Sequence, residues 1–378
     1  MTIALKAAAF ALALAATPVL AQDKVKLITI AELSGPGATA GTNWKSGIEL
    51  AVEEINAKGG ILGRKIDLVA YDTQTNPANA RAAVQRAIDE GTHAVLGPVY
   101  TGSIMASMQI AQRAEIAQLA AGDGTAYTAQ GNPFIFRTSL SQSAAMPKIA
   151  AYLKDQVKAK SVAVVWVNND FGKGGHEAIL KELKSRGIEV PVDLSTEQGQ
   201  ADFAGEAIKV KNAQVDAVFV YLNEEESARL LVAMRDQNVG KPVIGETTIL
   251  SQKVIELAGK AAEGVRGHVG QTVDAPIPAL QDFGKRFEAR FKFVPDHNGI
   301  KGFMAVHAVK WATEKLGKFE PTKVAATLHG ATIKPEEEPG ILMETTFDAK
   351  GDVQRESFLA EVVDGKQKII GRLPKISE

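Results

Sequence analysis

The sequence predicts an α/β protein made of two similar units, each a mostly parallel sheet flanked by helices. Three observations carry this. Apolar runs of strand length alternate with amphipathic runs of helix length from Lys24 onward, which is the order of a parallel sheet. The alternation restarts after Thr138 at a similar size. The turns at the strand ends are rich in Gly, Ser and Thr, the composition of a ligand-binding edge in an open α/β sheet.

With 378 residues the chain exceeds one average domain. Lys and Arg number 43 against 44 Asp and Glu, so there is no basic surplus for nucleic acid or for an anionic membrane surface. Cysteine is absent, which excludes disulfides, thiolate metal sites, a cysteine nucleophile and a lipidated cysteine. Residues 1–21 read as a signal peptide: Lys6, an apolar stretch from Ala7 to Val19, then Val19-Leu20-Ala21, predicting cleavage after Ala21 and export to a periplasm.

The first unit opens with a strand over Lys24–Leu33 and the turn Ser34-Gly35-Pro36-Gly37. A helix follows on the spacing of Ile48, Leu50, Ala51, Val52 and Ile55, stopping at Lys58-Gly59-Gly60. Arg64–Asp72 is a strand, and Asn76-Pro77 opens a helix running to about Glu90. The stretch from His93 to Thr128 brings two small-residue turns to the ends of successive strands. It reads as a strand (Ala94–Val99), a turn, a helix (Ser103–Arg113), a strand (Ile116–Ala121) and a second turn. The first turn, with Tyr100, Thr101, Gly102 and Ser103, offers N–H groups at a helix N-terminus, which favour an anion such as a carboxylate. The second, with Ala121, Gly122 and Asp123, offers close backbone approach and one carboxylate. Together they could hold both ends of a zwitterion.

The second unit contains a helix over 144–156 and a strand over Ser161–Val167, then the turn Asn169-Asp170-Phe171-Gly172 into a helix ending near Arg186. A strand near 188–194, a helix near 202–211, a strand Ala217–Tyr221, a helix near 225–237 and a strand Pro242–Gly245 complete it. Gly264 to Pro278 reads as an irregular crossing, followed by helices near 278–292, 299–316 and 322–329 and by strand material over Phe347–Ile370. Trp44 and Phe171 stand close after turns placed at the cleft.

Catalytic patterns are missing. There is no G-x-S-x-G, no H-E-x-x-H and no G-x-x-x-x-G-K-[ST]. Gly35-Pro36-Gly37-Ala38-Thr39-Ala40 matches a dinucleotide fingerprint only formally, since it contains proline and lacks the acidic residue at the end of a second strand. Asp296-His297-Asn298 has no partner cluster for a metal and reads as a loop. No enzyme activity, cofactor or metal is expected.

The sequence resembles the branched-chain amino-acid group of type I periplasmic binding proteins, the solute-binding components of ABC transporters. The resemblance rests on Ser34-Gly35-Pro36, Glu54-Ile55-Asn56-Ala57-Lys58-Gly59-Gly60-Ile61, Tyr71-Asp72 and Leu96-Gly97-Pro98. It continues through Phe136-Arg137-Thr138, Asn169-Asp170-Phe171-Gly172 and Phe347-Asp348-Ala349-Lys350-Gly351-Asp352. It implies two lobes joined by a hinge of three crossovers, with lobe 1 formed by 22–140 and 272–346 and lobe 2 by 141–271 and 347–378. It also implies that the turn at Thr101 holds a ligand carboxylate and that Ala121 to Asp123 contribute a carbonyl and a hydroxyl. The second lobe would supply Phe171, a residue at Asn223 and an acidic group at Glu246 or Thr247. Asp123 stands where a hydroxyl residue is usual, and is expected to take part of the ammonium contact. The implied partners are a small amino acid, aliphatic or branched, and an inner-membrane permease, with the protein a monomer. An aromatic or other small carboxylate, an amide, or a ligand-sensing role are the alternatives.

Overall fold

The alternation that starts at Lys24 folds into two sheets, in a computed structural model that describes residues 24–375. The leader read over residues 1–21 lies outside the described residues. The first sheet takes β1 (Val25–Ala31), α1 (Ala38–Ala57), β2 (Ile66–Asp72), α2 (Pro77–Asp89), β3 (Val95–Leu96), α3 (Thr101–Arg113), β4 (Gln118–Ala120) and β5 (Ile135–Arg137). Its order is β2-β1-β3-β4-β5, parallel throughout.

The second unit runs through α4 (Gln142–Asp155), β6 (Ser161–Val167), α5 (Asp170–Ser185), β7 (Glu189–Thr196), α6 (Ala204–Asn212) and β8 (Ala217–Tyr221). It continues with α7 (Glu224–Asp236), β9 (Val243–Glu246), α8 (Gln252–Ala258) and β10 (Arg266–Val269). The chain then returns to the first unit as α9 (Pro278–Phe291), α10 (His297–Leu316), α11 (Pro321–Leu328) and the short strands β11 (Thr332–Ile333), β12 (Thr345–Phe347) and β13 (Val353–Gln354). It ends as β14 (Ser357–Val363) and β15 (Lys366–Leu373), which add antiparallel strands to the second sheet, in the order β15-β14-β10-β9-β8-β6-β7.

Local chemistry sets the helix starts. Asn76 accepts from the amides of Ala78 and Asn79 ahead of Pro77, Asn169 caps α5 through Gly172, and Asp296 caps α10 through Asn298 and Gly299. The helix α10 is apolar on nearly every side because it is sandwiched against α1. Glycines permit that approach: a Cβ on Gly47 would lie 1.9 Å from the Gly299 carbonyl, and one on Gly302 would lie 2.2 Å from the Trp44 carbonyl. No helix among the described residues is long and apolar enough to cross a membrane.

The residues that carried the family resemblance are fastenings. Asp72 accepts from the amides of Leu33, Ser34 and Gln74 and from the Ser34 hydroxyl, fixing the first turn. Asn56 exchanges two hydrogen bonds with Ile66 and ties the end of α1 to β2.

Three local expectations change. The strand expected over Ala94–Val99 is reduced to Val95–Leu96, because the chain turns at Gly97. The φ there is +102°, and a Cβ would lie 2.1 Å from the Ile30 carbonyl, so only glycine fits. The segment expected to be irregular from Gly264 contains β10, an interior strand between β9 and β14. Phe347, expected in lobe 2, pairs with Val353 in the small sheet and packs on Phe136, so the last crossing lies between Gln354 and Ser357.

Candidate functional site

The strand ends of both sheets face one narrow cavity. From the first unit it is lined by Ala40, Val99, Tyr100, Thr101, Ala121, Gly122 and Asp123, and from the second by Phe171, Asn223, Glu224 and Thr248. His297, Asn298 and Lys301, on the first turns of α10, form its floor. The lobes touch at the rim, where the Thr39 hydroxyl donates to Glu225 Oε1 at 2.5 Å.

Thr101 sits between the two turns. A Cβ on Gly122 would strike Ile104 at 2.6 Å and one on Gly124 would strike Thr101 at 2.5 Å, which is why Asp123 is flanked by glycines. Thr101 lines the cavity, and its Oγ1 is buried beside Gly122 and Gly124 with no hydrogen-bond partner. A buried hydroxyl left unpaired costs about 1–3 kcal/mol, so a ligand that pairs with it recovers that amount.

The N-terminus of α3 is less free than the sequence suggests. Glu32, wholly buried, accepts from the Val99 amide at 3.0 Å and the Tyr100 amide at 3.3 Å. Burial raises its pKa, against the opposing pull of these amides.

The second turn is held from behind by Arg137. Its guanidinium donates to the Gly122 and Gly124 carbonyls at 2.6 and 2.8 Å, to Thr128 Oγ1 and to Asp352 Oδ1, and it lies over the Tyr127 ring. Tyr127 and Ser139 also donate to the Gly122 carbonyl. These carbonyls therefore point into the first lobe, away from the cavity. The Arg137–Asp352 bond joins two stretches of the family resemblance.

Asp123 lines the cavity, but Lys301 answers its charge at 3.1 Å, and Lys301 also donates to the Ala121 carbonyl at 3.0 Å. Burial opposes ionisation of Asp123, yet the Lys301 ammonium, together with smaller contributions from His297 and Ser139, outweighs it and holds the carboxyl below its ordinary value. Asp123, expected to take part of a ligand's ammonium contact, thus lines the cavity already paired with a cation of its own lobe. Beside it, burial and then Lys301 push His297 down to about 3, so its ring is neutral.

Four other expected residues lie outside the lining. Trp44 is fully buried in the first core and donates its indole N–H to Thr29 Oγ1 at 3.1 Å; it faces α10 and the sheet, not the cleft. Glu246 points along its own sheet, where Oε1 accepts from Thr247 at 2.5 Å and pairs with His268 Nδ1 at 3.1 Å. Thr247 is consumed by that contact and by the Gly270 amide, and Thr248 is the residue that reaches the cavity. Gly102 lies just outside the lining, where a Cβ would come within 2.9 Å of Asp170 Oδ2 from the facing lobe. Phe171 stacks on Tyr221 at 4.2 Å, with Gln142 bridging the Phe171 carbonyl and the Tyr221 hydroxyl.

Sequence reasoning missed Lys301, His297, Asn298 and Glu224. A signal for the first three was present: Asp296 before the apolar run of α10 is a helix cap, which turns the supposed loop into the first turn of a helix.

A periplasmic binding protein family model matches residues 11–367 of the chain. Among curated relatives, the leucine-, isoleucine-, valine-, threonine- and alanine-binding protein of Pseudomonas aeruginosa is 27% identical over 357 residues, covering 93% of each chain. Among solved structures, the branched-chain amino acid transporter substrate binding protein of Streptococcus pneumoniae, in complex with isoleucine, superposes with a TM-score of 0.84 at 22% identity, over 92% of this chain and 100% of that one. An ABC transporter solute binding protein of Rhodopseudomonas palustris, in complex with benzoate, gives 0.86 at 21% identity, over 94% and 98%. The two-lobed α/β fold is the one these structures share, and the chain belongs to the periplasmic binding protein family.

Proposed function

We propose that the protein is the periplasmic solute-binding component of an ABC importer, taking a small zwitterionic amino acid, aliphatic or branched, between its lobes and delivering it to an inner-membrane permease. It acts as a monomer and carries out no chemistry. The observation that carries the reading is Thr101, which lines a cavity walled by both lobes at the start of a helix and whose Oγ1 is buried and unpaired. A ligand carboxylate there gains the hydroxyl and the positive end of α3. The rim contact between Thr39 and Glu225 supports closure around the ligand. The names of the curated relatives support an amino acid, and the benzoate-bound neighbour supports a small aromatic acid as the second reading, with the Phe171–Tyr221 stack as its apolar wall.

Calorimetric titration of protein beginning at Gln22 with leucine, valine, alanine, benzoate and 4-hydroxybenzoate tests this. The expected result is tight binding of one or more amino acids, weakened roughly tenfold by Thr101→Val, the value of one net hydrogen bond to a charged group at the lower end of its range. Binding of an aromatic acid alone would move the ligand class to the second reading. Turnover of any ligand would overturn the transport role.

A further inference from the structure

Resting on the amino-acid reading above, we propose that Glu224 is the carboxylate that selects an ammonium-bearing ligand, in place of Glu246, Thr247 or Asp123. The charges around the cavity leave this residue alone. Asp123 and Lys301 cancel, His297 is neutral, and Glu246 is directed to Thr247 and His268. Glu224 lines the cavity from the first turn of α7 and is 3% exposed. The charged groups that act on it most strongly are negative: Asp296 from the cap of α10, and Glu225 and Glu226 beside it; Lys301, which lines the same cavity, is engaged by Asp123. Tyr100, on the facing lobe, feels Glu224 in turn.

Glu225, Glu226 and Glu246 each have one partnered oxygen and one buried, unpartnered one, but none of them lines the cavity, which leaves Glu224 as the second lobe's carboxylate there. Glu225 takes the Thr39 hydroxyl across the rim, and Glu226 takes the Gly199 amide at 2.6 Å and the Asn223 amide group at 3.3 Å. Asp296 Oδ1 caps α10, while Oδ2 is buried and unpartnered. Burial, followed by the charge of Asp296, raises the Glu224 pKa well above the ordinary value. Closing the cleft without a cation therefore favours the protonated form of Glu224. A ligand ammonium supplies the missing positive charge, and Thr101 across the cavity remains for the carboxylate. That geometry rejects an acid of the same shape that carries a hydroxyl in place of the amine.

The test compares leucine, valine and alanine with the 2-hydroxy acids of the same skeletons, by calorimetry at pH 7 in buffers of different ionisation enthalpy. The wild type is expected to favour the amino acids by about 30-fold or more, within the 1.5–3 kcal/mol scale of a charged hydrogen bond. It should also take up about one proton when a hydroxy acid closes the cleft, by the linkage between burial and protonation. Glu224→Gln should reduce the preference to about threefold and abolish the uptake, while Glu246→Gln changes neither. Glutamine has the shape of the protonated acid, so the variant should fold; the proton count on the wild type tests the idea independently. Full preference in Glu224→Gln, or loss of it in Glu246→Gln, would overturn the assignment while leaving the transport reading intact. Failure of the wild type to bind any of the amino acids would overturn both.

Discussion

Replacing Lys301 by methionine removes the ammonium that is ion-paired with Asp123. The pair is buried, with side chains 4% and 13% exposed, and the ammonium serves Asp123, the Ala121 carbonyl and Asn298 at 3.1, 3.0 and 3.5 Å. Methionine fills the stem's volume but leaves the buried carboxylate without its ion-pair partner, a change that costs about 3–5 kcal/mol in comparable buried pairs. At about 2–4 °C per kcal/mol for a lobe-sized unit, the melting temperature at pH 8 should drop by roughly 6–20 °C. The pH dependence supplies a sharper check. In the wild type the Asp123 pKa is depressed, so its contribution is present above the unfolded value of about 3.9 and is lost only as pH falls through the lower folded value. In the variant the same carboxyl is raised by burial, so stability is present at low pH and is lost as pH rises. Melting curves followed by circular dichroism between pH 5 and 8 should therefore slope downward with pH in Lys301→Met relative to the wild type. Adding Asp123→Asn should restore most of the loss. A variant within about 2 °C of the wild type at pH 8, or one with an unchanged slope, would refute the pairing argument.

Two other perturbations follow from the same geometry. Burial raises Asp296 to about 6, so it contributes stability that is full below about pH 4 and lost as pH rises through 6; Asp296→Asn should flatten the stability profile over that window by roughly 2–3 kcal/mol, read by urea denaturation at pH 4 and 7. Gly97→Ala puts a methyl group 2.1 Å from the Ile30 carbonyl at a φ of +102°, and should cost more than about 2 kcal/mol in the same assay, whereas Gly59→Ala, whose Cβ meets nothing, should cost only its φ strain of about 1 kcal/mol.

The architecture was legible because its elements are long and periodic: α1, α2, α7 and β6 fall within a few residues of where the apolar spacing places them. The strand β10 was not, since Arg-Gly-His-Val is too short to show a period and its glycine lets Gly245 approach to within a 2.3 Å Cβ contact. At the site, the turns around Thr101 and Asp123 were visible as glycine-flanked strand ends. What no local pattern reveals is which charges meet. Lys301 reaches Asp123 across 178 positions of sequence, and that contact determines whether Asp123 is free. Glu246 looked available for the same reason: its partner His268 belongs to the strand that was not read. Trp44 follows a turn, but the helical repeat carries it round to the side of α1 that meets α10.

The interleaved course of the chain has a consequence for how the molecule assembles. The helix α10 closes the core of the first lobe against α1 only after the whole of β6 to β10 has been made, and β14 reaches β10 only at the end of the chain. During synthesis neither lobe can complete its core from residues already available, because each awaits a segment from beyond the other. Such long-range closures carry a large loop entropy and slow the folding rate. Until residues 357–363 arrive, β10 is an open sheet edge, so the nascent chain is most exposed to misassociation through that strand late in its synthesis.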